Sequence, residues 1–412
     1  MNGHVFLRRP GGPFRPEFWR SPLRGPWLTA VLGLVLLVII PIVAVTGFLS
    51  NDAYYPRLGG NSVGRPLGPL DFYLFPFPRT PSWIYALNQG LHVTLGLAAV
   101  PVLLAKLWSV IPRLFEWPAF RSPAHALERL SLAFLVGGAL FEFATGILNI
   151  QYAYLFHFFF TSAHYYGAWV FTAAFTAHVL IKFTTMRKSL MTRRAVLTVT
   201  SDLIAPAPGP ETISRRTLLA TVGAGSLLLT LQGVGQAIGG PLRRLALFAP
   251  RNEFGAGPNG FAVNRTAAAA RITPELVDHR WRLVVSGGQR RLSLSRAALL
   301  RLPQYSYELP IACVEGWSTT QRWTGVRLRD LANLAGAPSH ASATARSIAT
   351  NGVFDAATLA PQQVRDERTL LALRVGGVDL SLDHGFPARV IGPGIPGVHC
   401  TKWVSRLTFE EV

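Results

Sequence analysis

Four histidines fall in or beside long apolar runs: His92, His125, His164 and His178. Two neutral imidazoles on facing membrane helices are what a b-type haem requires, because two axial nitrogens fill the iron's coordination and favour electron transfer over oxygen binding. His164 and His178 stand 14 residues apart, about 21 Å and close to four whole turns of helix, so both rings point to nearly one face at two depths. His92 and His164 each lie a short way below the outer end of an inward-running helix and form an outer pair of iron ligands. His178 and His125 form an inner pair on the same reasoning, His125 being the weaker member because it opens its helix. Such rings also serve as hydrogen-bonding groups between helices, but ionisable side chains within a membrane are costly and usually functional. The other reactive residues are the two cysteines, Cys313 and Cys400. Cys313 ends an apolar strand and enters a turn containing Gly316, a setting for a thiolate that ligates a metal or acts as a nucleophile.

Membrane elements must position the histidines. The run from Trp27 to Leu49 is long enough to cross a hydrocarbon core of ~30 Å. Further spans are expected from about Trp83 to Trp108, from Ser122 to Ile150 with Ser122 as cap and Pro123 in the first turn, and from Phe158 to Phe183. Gly90, Gly96, Gly137, Gly138, Gly146 and Gly167 lie near the histidines and allow helices to pack closely around a porphyrin. A polar, Pro-rich linker follows over 185–216, then a fifth apolar segment, Thr217 to Ile238. That segment is preceded by Ser214-Arg215-Arg216-Thr217-Leu218-Leu219, which looks like a twin-arginine export signal in mid-chain.

The 412 residues are 50% hydrophobic and only 15% charged, with a mean hydropathy of +0.30, which excludes an ordinary soluble domain. Two cysteines exclude a disulfide scaffold and a four-cysteine metal site within one chain. The net charge is +19, and the basic residues of the 1–26 flank (Arg8, Arg9, Arg15, Arg20, Arg24), of the loop with Arg113 and Arg121, and of the linker with Arg193 and Arg194 all fall on one side. That side is expected to be cytoplasmic. Residues 240–412 are then extracytoplasmic, and the charge reflects topology rather than binding to nucleic acid.

Beyond residue 240 the pattern becomes that of a mixed, mostly β fold, with strands such as Trp281 to Val285 and Leu370 to Val375 and short helices over Ser295 to Leu302 and Leu328 to Ala335. Ile311-Ala312-Cys313-Val314-Glu315-Gly316-Trp317-Ser318, followed by Trp323-Thr324-Gly325-Val326 and Leu328, resembles the molybdenum-binding signature of the sulfite oxidase superfamily. The likeness is closer to its bacterial periplasmic methionine-sulfoxide reductase branch. The resemblance implies that Cys313 is the protein's ligand to molybdenum beside the dithiolene of a molybdopterin. A second stretch, His384-Gly385-Phe386-Pro387-Ala388-Arg389-Val390 with Gly397, Thr401, Lys402 and Trp403, resembles the region that grips the pterin and its phosphate. Arg389 and Lys402 offer a planar fork and a mobile point charge suited to phosphate, and Lys402 is the only lysine in residues 189–412. Asn259 with Phe261-Ala262-Val263 resembles an earlier pterin-contacting segment. One position departs from the sulfite-oxidising pattern: five residues after the cysteine, where an arginine holds the oxyanion, stands Ser318, with Arg322 as the nearby substitute. Cys400 reads as a small buried hydrophobe.

The fold expected is therefore a four-helix cytochrome b-like membrane domain over 27–184, a linker over 185–216, a fifth helix over 217–238 and an α+β molybdopterin domain over 240–412. Molybdopterin is inserted in the cytoplasm, so the resemblance implies export of a folded domain by the twin-arginine machinery. The expected activity is electron exchange between a quinone in the membrane lipid, b-type haem and a molybdopterin site that transfers an oxygen atom, reducing S- or N-oxides. Oxidation of sulfite with electrons entering the quinone pool is the alternative, and a non-enzymatic membrane redox or binding module is a further one.

Overall fold

A computed structural model describes residues 10–54, 75–118, 121–151, 153, 155–158, 160–191, 203–247, 258–288, 290–350 and 355–411. Arg8, Arg9, Arg193 and Arg194 lie outside the described residues. Five of the helices are long and apolar enough to cross a membrane: α1 Pro26–Ala53, α2 Ile84–Leu114, α3 Pro123–Ile150, α4 Phe160–Met191 and α5 Arg215–Ile238. At 28 residues, α1 is about 42 Å long, more than a hydrocarbon core requires. Pro26 opens α1, where the missing N–H costs nothing, and Pro41 lies inside it. Ser122 caps α3, its hydroxyl accepting from the His125 N–H at 3.1 Å, and Ser214 caps α5 by accepting from the Thr217 N–H at 3.0 Å. The N-terminal arginine of the mid-chain pair, Arg215, donates to the carbonyls of Leu23 and Pro22 at 3.1 and 2.9 Å. Two helices outrun their expected ends: α2 continues past Trp108 to Leu114 and α4 past Phe183 to Met191. Hydropathy falls where a helix leaves the hydrocarbon, but backbone bonding need not stop there, so the polar sequence from 185 to 191 stays helical.

The chain divides into two compact units, Met1–Val45 with Thr94–Leu231 and Thr46–Val93 with Gln232–Val412. In the first, Leu28, Leu32, Leu36 and Ile40 of α1 form a buried stripe with Ala99, Val102 and Leu103 of α2, Ala139 of α3 and Phe171 of α4. Outward residues remain apolar, Leu180 being 75% exposed and Leu104 55%, a surface suited to lipid rather than water.

The second unit contains the ends of α1 and α2, the end of α5 and all the strands. One five-stranded sheet has the order β2-β1-β10-β5-β6, formed by Arg290–Ser295, Arg282–Gly287, Val404–Glu411, Ala341–Ser347 and Ala356–Leu359. Here β1 and β10 run parallel, with Val285 opposite Leu407, while the other pairs are antiparallel. The other sheet joins β3 Tyr305–Ala312, β4 Ser318–Arg327, β7 Leu370–Val375 and β8 Val378–Asp379, with β9 Arg389–Ile391 also on β7. Short helices α6 Arg296–Arg301, α7 Leu328–Leu334 and α8 Pro361–Arg365 connect strands. Inward residues from both sheets, including Leu283, Val285, Trp323, Leu371 and Leu407, share one buried core with Cys313. β7 is buried at five of its six positions, all but Arg374, as its apolar residues require.

Candidate active site

Cys313 follows the last residue of β3 and begins a tight turn back into β4. Its N–H donates to the Trp317 carbonyl at 2.9 Å, and its own carbonyl accepts from the Gly316 N–H at 3.0 Å. Gly316 adopts φ +92°, which glycine reaches without the clash a Cβ would bring. The turn is stiffened by the indole N–H of Trp317, which donates to Glu315 Oε2 at 2.9 Å in the interior. The sulfur lies 4.0 Å from the amide nitrogen of Asn264 and forms part of the wall of a narrow cleft, with Trp317, His384, Arg389, Lys402 and Asn264 around it.

The opposite wall is held by the segment from Ser381 to Trp403. His384 is almost fully buried, with Nε2 donating to the Phe261 carbonyl at 3.1 Å and Nδ1 accepting from the Ser381 hydroxyl at 2.7 Å. Both ring nitrogens are thus occupied by protein partners, and the ring ties this loop to the Phe261 segment. Burial, with the Arg389 cation nearby, lowers its pKa to about 4. Gly385 has φ +109°, and a Cβ there would lie 3.1 Å from Lys402 and 3.3 Å from Arg389, so glycine lets the two cationic side chains come together. Trp403, at φ +52°, turns the chain so that its indole N–H reaches the Leu382 carbonyl at 2.7 Å. Lys402 Nζ donates to the carbonyls of Arg265 and Asp383 at 2.6 and 2.8 Å. Burial and then the Arg389 charge hold the Lys402 ammonium well below the usual lysine range. Burial likewise lowers the Arg389 guanidinium.

Two basic side chains, Arg389 and Lys402, line one cleft, and Arg389 Nε is buried without a hydrogen-bond partner; the Thr401 hydroxyl is also buried and unpartnered but does not line the cleft. Buried polar groups are normally paired, so this wall suits an anionic, acceptor-rich ligand such as the phosphate of a pterin cofactor. Among the described residues no group of three or more His, Cys, Asp or Glu side chains converges. A metal held by the Cys313 thiolate would therefore take its other ligands from a cofactor, as molybdopterin supplies them.

Asn259 occupies a different place from the one its motif suggested. Its side chain donates to the Asp379 carbonyl at 3.2 Å and accepts from the Ser381 N–H at 2.5 Å, bracing the loop that bears His384 behind the cleft. Asn264, five residues on, is the residue that reaches Cys313, and sequence reasoning passed over it; only its proximity to Phe261-Ala262-Val263 pointed that way. Ser318 donates to the Ala237 carbonyl at the end of α5. Arg322 is exposed on β4 and is absent from the cleft wall. Cys400 is buried, and burial raises its thiol to about 11, so it remains protonated.

Each membrane histidine has its own surroundings. The His164 ring is 3.0 Å from the Thr145 hydroxyl and 3.2 Å from Glu142 Oε2 through Nδ1. Thr145 donates its own proton to the Phe141 carbonyl at 2.7 Å, so its hydroxyl is free to accept from Nδ1 of His164. A metal-ligating histidine is commonly held in this way, and Gly146 leaves room beside the ring. His92 has Nδ1 3.4 Å from the Thr46 hydroxyl, and a Cβ at Gly47 would meet its ring at 2.9 Å. Both settings fit an axial haem ligand. His125 instead accepts the Arg121 N–H at 3.2 Å through Nδ1, a cap interaction that places its proton on Nε2. His178 is half-buried on α4.

Comparison with known proteins bears on the sheet-rich part. Residues 270–412 match the family described as the oxidoreductase molybdopterin binding domain. Mitochondrial sulfite oxidase of Mus musculus is 31% identical over 166 residues, 34% of this chain and 30% of that protein. The Homo sapiens sulfite oxidase is 31% identical over 167 residues, 33% of this chain and 30% of that protein. An uncharacterized oxidoreductase of Bacillus subtilis (strain 168), YuiH, is 30% identical over 134 residues, covering 32% of this chain and 66% of that protein. The chain thus spans less than a third of the length of the mammalian relatives. The solved sulfane dehydrogenase SoxCD of Paracoccus pantotrophus is 24% identical over 32% of this chain and 39% of that one, with a TM-score of 0.30, too low to bear on the fold. The sheet-rich C-terminal part of the chain thus matches a molybdopterin-binding oxidoreductase domain of the sulfite oxidase type.

The His384 ring gives a pH test of this wall. Its pKa is about 4 when folded against an ordinary 6.5, so the unfolded chain binds more protons between those values. Stability from this group is complete above about pH 6.5 and is lost as pH falls toward 4, by up to ~3 kcal/mol. The urea midpoint of the domain in cofactor-free chain, followed by tryptophan fluorescence, is expected to drop between pH 7 and 4.5. His384→Asn should flatten the change, and an equal drop in both proteins would refute the assignment.

Proposed function

We propose that the protein is a membrane-bound molybdenum oxidoreductase that passes electrons between a quinone, b-type haem and an extracytoplasmic molybdopterin site, and that it reduces S- or N-oxides. The observation that carries this reading is the cleft in which the Cys313 thiol faces Arg389 and Lys402. When bound, molybdopterin supplies two-electron oxygen-atom transfer and haem supplies one-electron steps to and from quinone. The chain's own residues hold and orient these groups. Cys313 would ligate the metal, and Arg389, Lys402 and the Thr401 hydroxyl would take the pterin phosphate. Trp317 and the buried His384 close the walls against bulk water, and His384 stays neutral. His92 and His164 would hold the haem iron. The twin-arginine-like segment before α5 and the basic flanks support a location of the sheet-rich domain outside the cytoplasm, with the five apolar helices in the cytoplasmic membrane.

Ser318 supports an uncharged oxide as substrate. The position that would bear an oxyanion-holding arginine is a serine bonded to the Ala237 backbone, and Arg322 does not line the cleft. The second reading, oxidation of sulfite with electrons passed to quinone, is favoured by the names of the mammalian relatives. The deciding assay gives detergent-solubilised protein either reduced viologen with dimethyl sulfoxide, methionine sulfoxide or trimethylamine N-oxide, or sulfite with a soluble quinone. Oxide-dependent dye oxidation is expected. Quinone reduction by sulfite in its place would move the assignment to the second reading, and no reaction in either assay would contradict both.

A further inference from the structure

The Cys313 turn is fastened to the helix that carries His92, within one compact unit. Gln89 Nε2 donates to the carbonyl of Val314, the residue after Cys313, at 2.7 Å. Gln89 Oε1 accepts from the Ser50 hydroxyl of α1 at 2.7 Å, and that hydroxyl accepts from Asn88 Nδ2 at 3.0 Å. Asn88 Nδ2 also donates to the Thr46 carbonyl at 2.9 Å, and the Thr46 hydroxyl is the group beside His92 Nδ1. Ser50, Asn88, Gln89 and Thr46 are all buried. The packing is tight as well: a Cβ on Gly316 would lie 2.9 Å from Val93, the residue after His92.

This arrangement is not what stability alone favours. A buried polar ladder is tolerated only when every member is satisfied, and an apolar contact would hold a helix to a turn at least as well. The ladder joins the two residues assigned to different metals by a continuous line of covalent and hydrogen bonds. We propose that the electron route between the haem ligand His92 and the molybdenum ligand Cys313 runs along the α2 backbone to Gln89, three residues before His92, and crosses its hydrogen bond to Val314, with the Ser50–Asn88–Thr46 ladder holding Gln89 in place as the positioning residue that closes it. The proposal rests on the haem and molybdenum assignments given above. In the reductive direction each passage takes one electron from the haem iron, which goes from ferrous to ferric, and reduces the molybdenum centre by one electron. Two passages, with quinol as donor, complete a two-electron turnover, and the oxidative direction reverses each step. Leu87, on the same turn of α2 but 50% exposed, lies off the route.

Laser-flash reduction tests the route without a substrate. A photogenerated flavin semiquinone reduces the haem of the full-length, metal-loaded protein in detergent, and haem reoxidation then reports the electron moving to molybdenum. Gln89→Leu removes both hydrogen bonds and is expected to slow this reoxidation by about tenfold or more, with haem content, molybdenum content and reduction of the haem by the flavin unchanged. Leu87→Ala should match the wild type. Ser50→Ala, which deletes one hydroxyl from the middle of the ladder and leaves the Gln89–Val314 bond, should also slow the phase and serves if Gln89→Leu fails to assemble. Wild-type rates in both ladder variants would overturn the proposal alone. A wild-type protein holding both metals but lacking any reoxidation phase would also overturn it while sparing the metal assignments, whereas a haem-free wild type would remove those assignments and the route together.

Discussion

Cys313→Ser is expected to leave the haem absorbance intact and to lower dye-linked turnover by more than the roughly 100-fold that loss of an outer partner of a metal ligand brings. Serine keeps the size of the side chain and the Trp317 and Gly316 backbone bonds of the turn, so the domain should still fold. What it removes is the soft, readily ionised sulfur that suits a metal changing oxidation state. Molybdenum content after gel filtration separates two consequences: cofactor retained by Arg389 and Lys402 but inactive, or cofactor lost. Either agrees with ligation by Cys313, and turnover at the wild-type rate would contradict it. Cys400→Ser is the internal comparison, since that thiol is protonated, buried and outside the cleft; it should preserve turnover wherever the protein folds.

His92→Ala and His164→Ala are each expected to abolish the b-type absorbance band in purified protein. A bis-histidine haem depends on both axial nitrogens. His125→Ala should leave the band unchanged, because its ring serves the α3 cap. Full haem content in both His92→Ala and His164→Ala would discard the outer pair. Pyridine-haemochrome quantification on each variant, set against chain concentration, reads the result.

Much of this was legible before any coordinates. Long apolar runs fix membrane-length helices because length and hydropathy are properties of a single segment, and α1, α3 and α5 end within a few residues of expectation. β7 was equally plain, since a strand buried on both faces reads as a nearly continuous apolar run, here broken only by the exposed Arg374. Cys313, Arg389, Lys402 and His384 come together in one cleft because each belonged to a motif whose residue types suit one ligand. What escaped was long-range. Nothing local to Asn259 says that its amide is spent on residues 379 and 381, or that Asn264 turns toward a cysteine 49 residues away. Gln89 looked like one polar residue in an apolar helix; its bond to Val314 spans 225 residues. Helix ends were missed where polarity changed and backbone bonding did not, as in α4.

The central claim is that one polypeptide holds two redox centres, and an ultraviolet–visible spectrum with molybdenum analysis on the same detergent-solubilised sample tests it most directly. The account predicts a Soret band with α and β bands that sharpen on dithionite reduction, as for six-coordinate haem, together with stoichiometric molybdenum. A preparation that is colourless in the visible, or that carries only trace molybdenum when expressed with molybdate available, would contradict it.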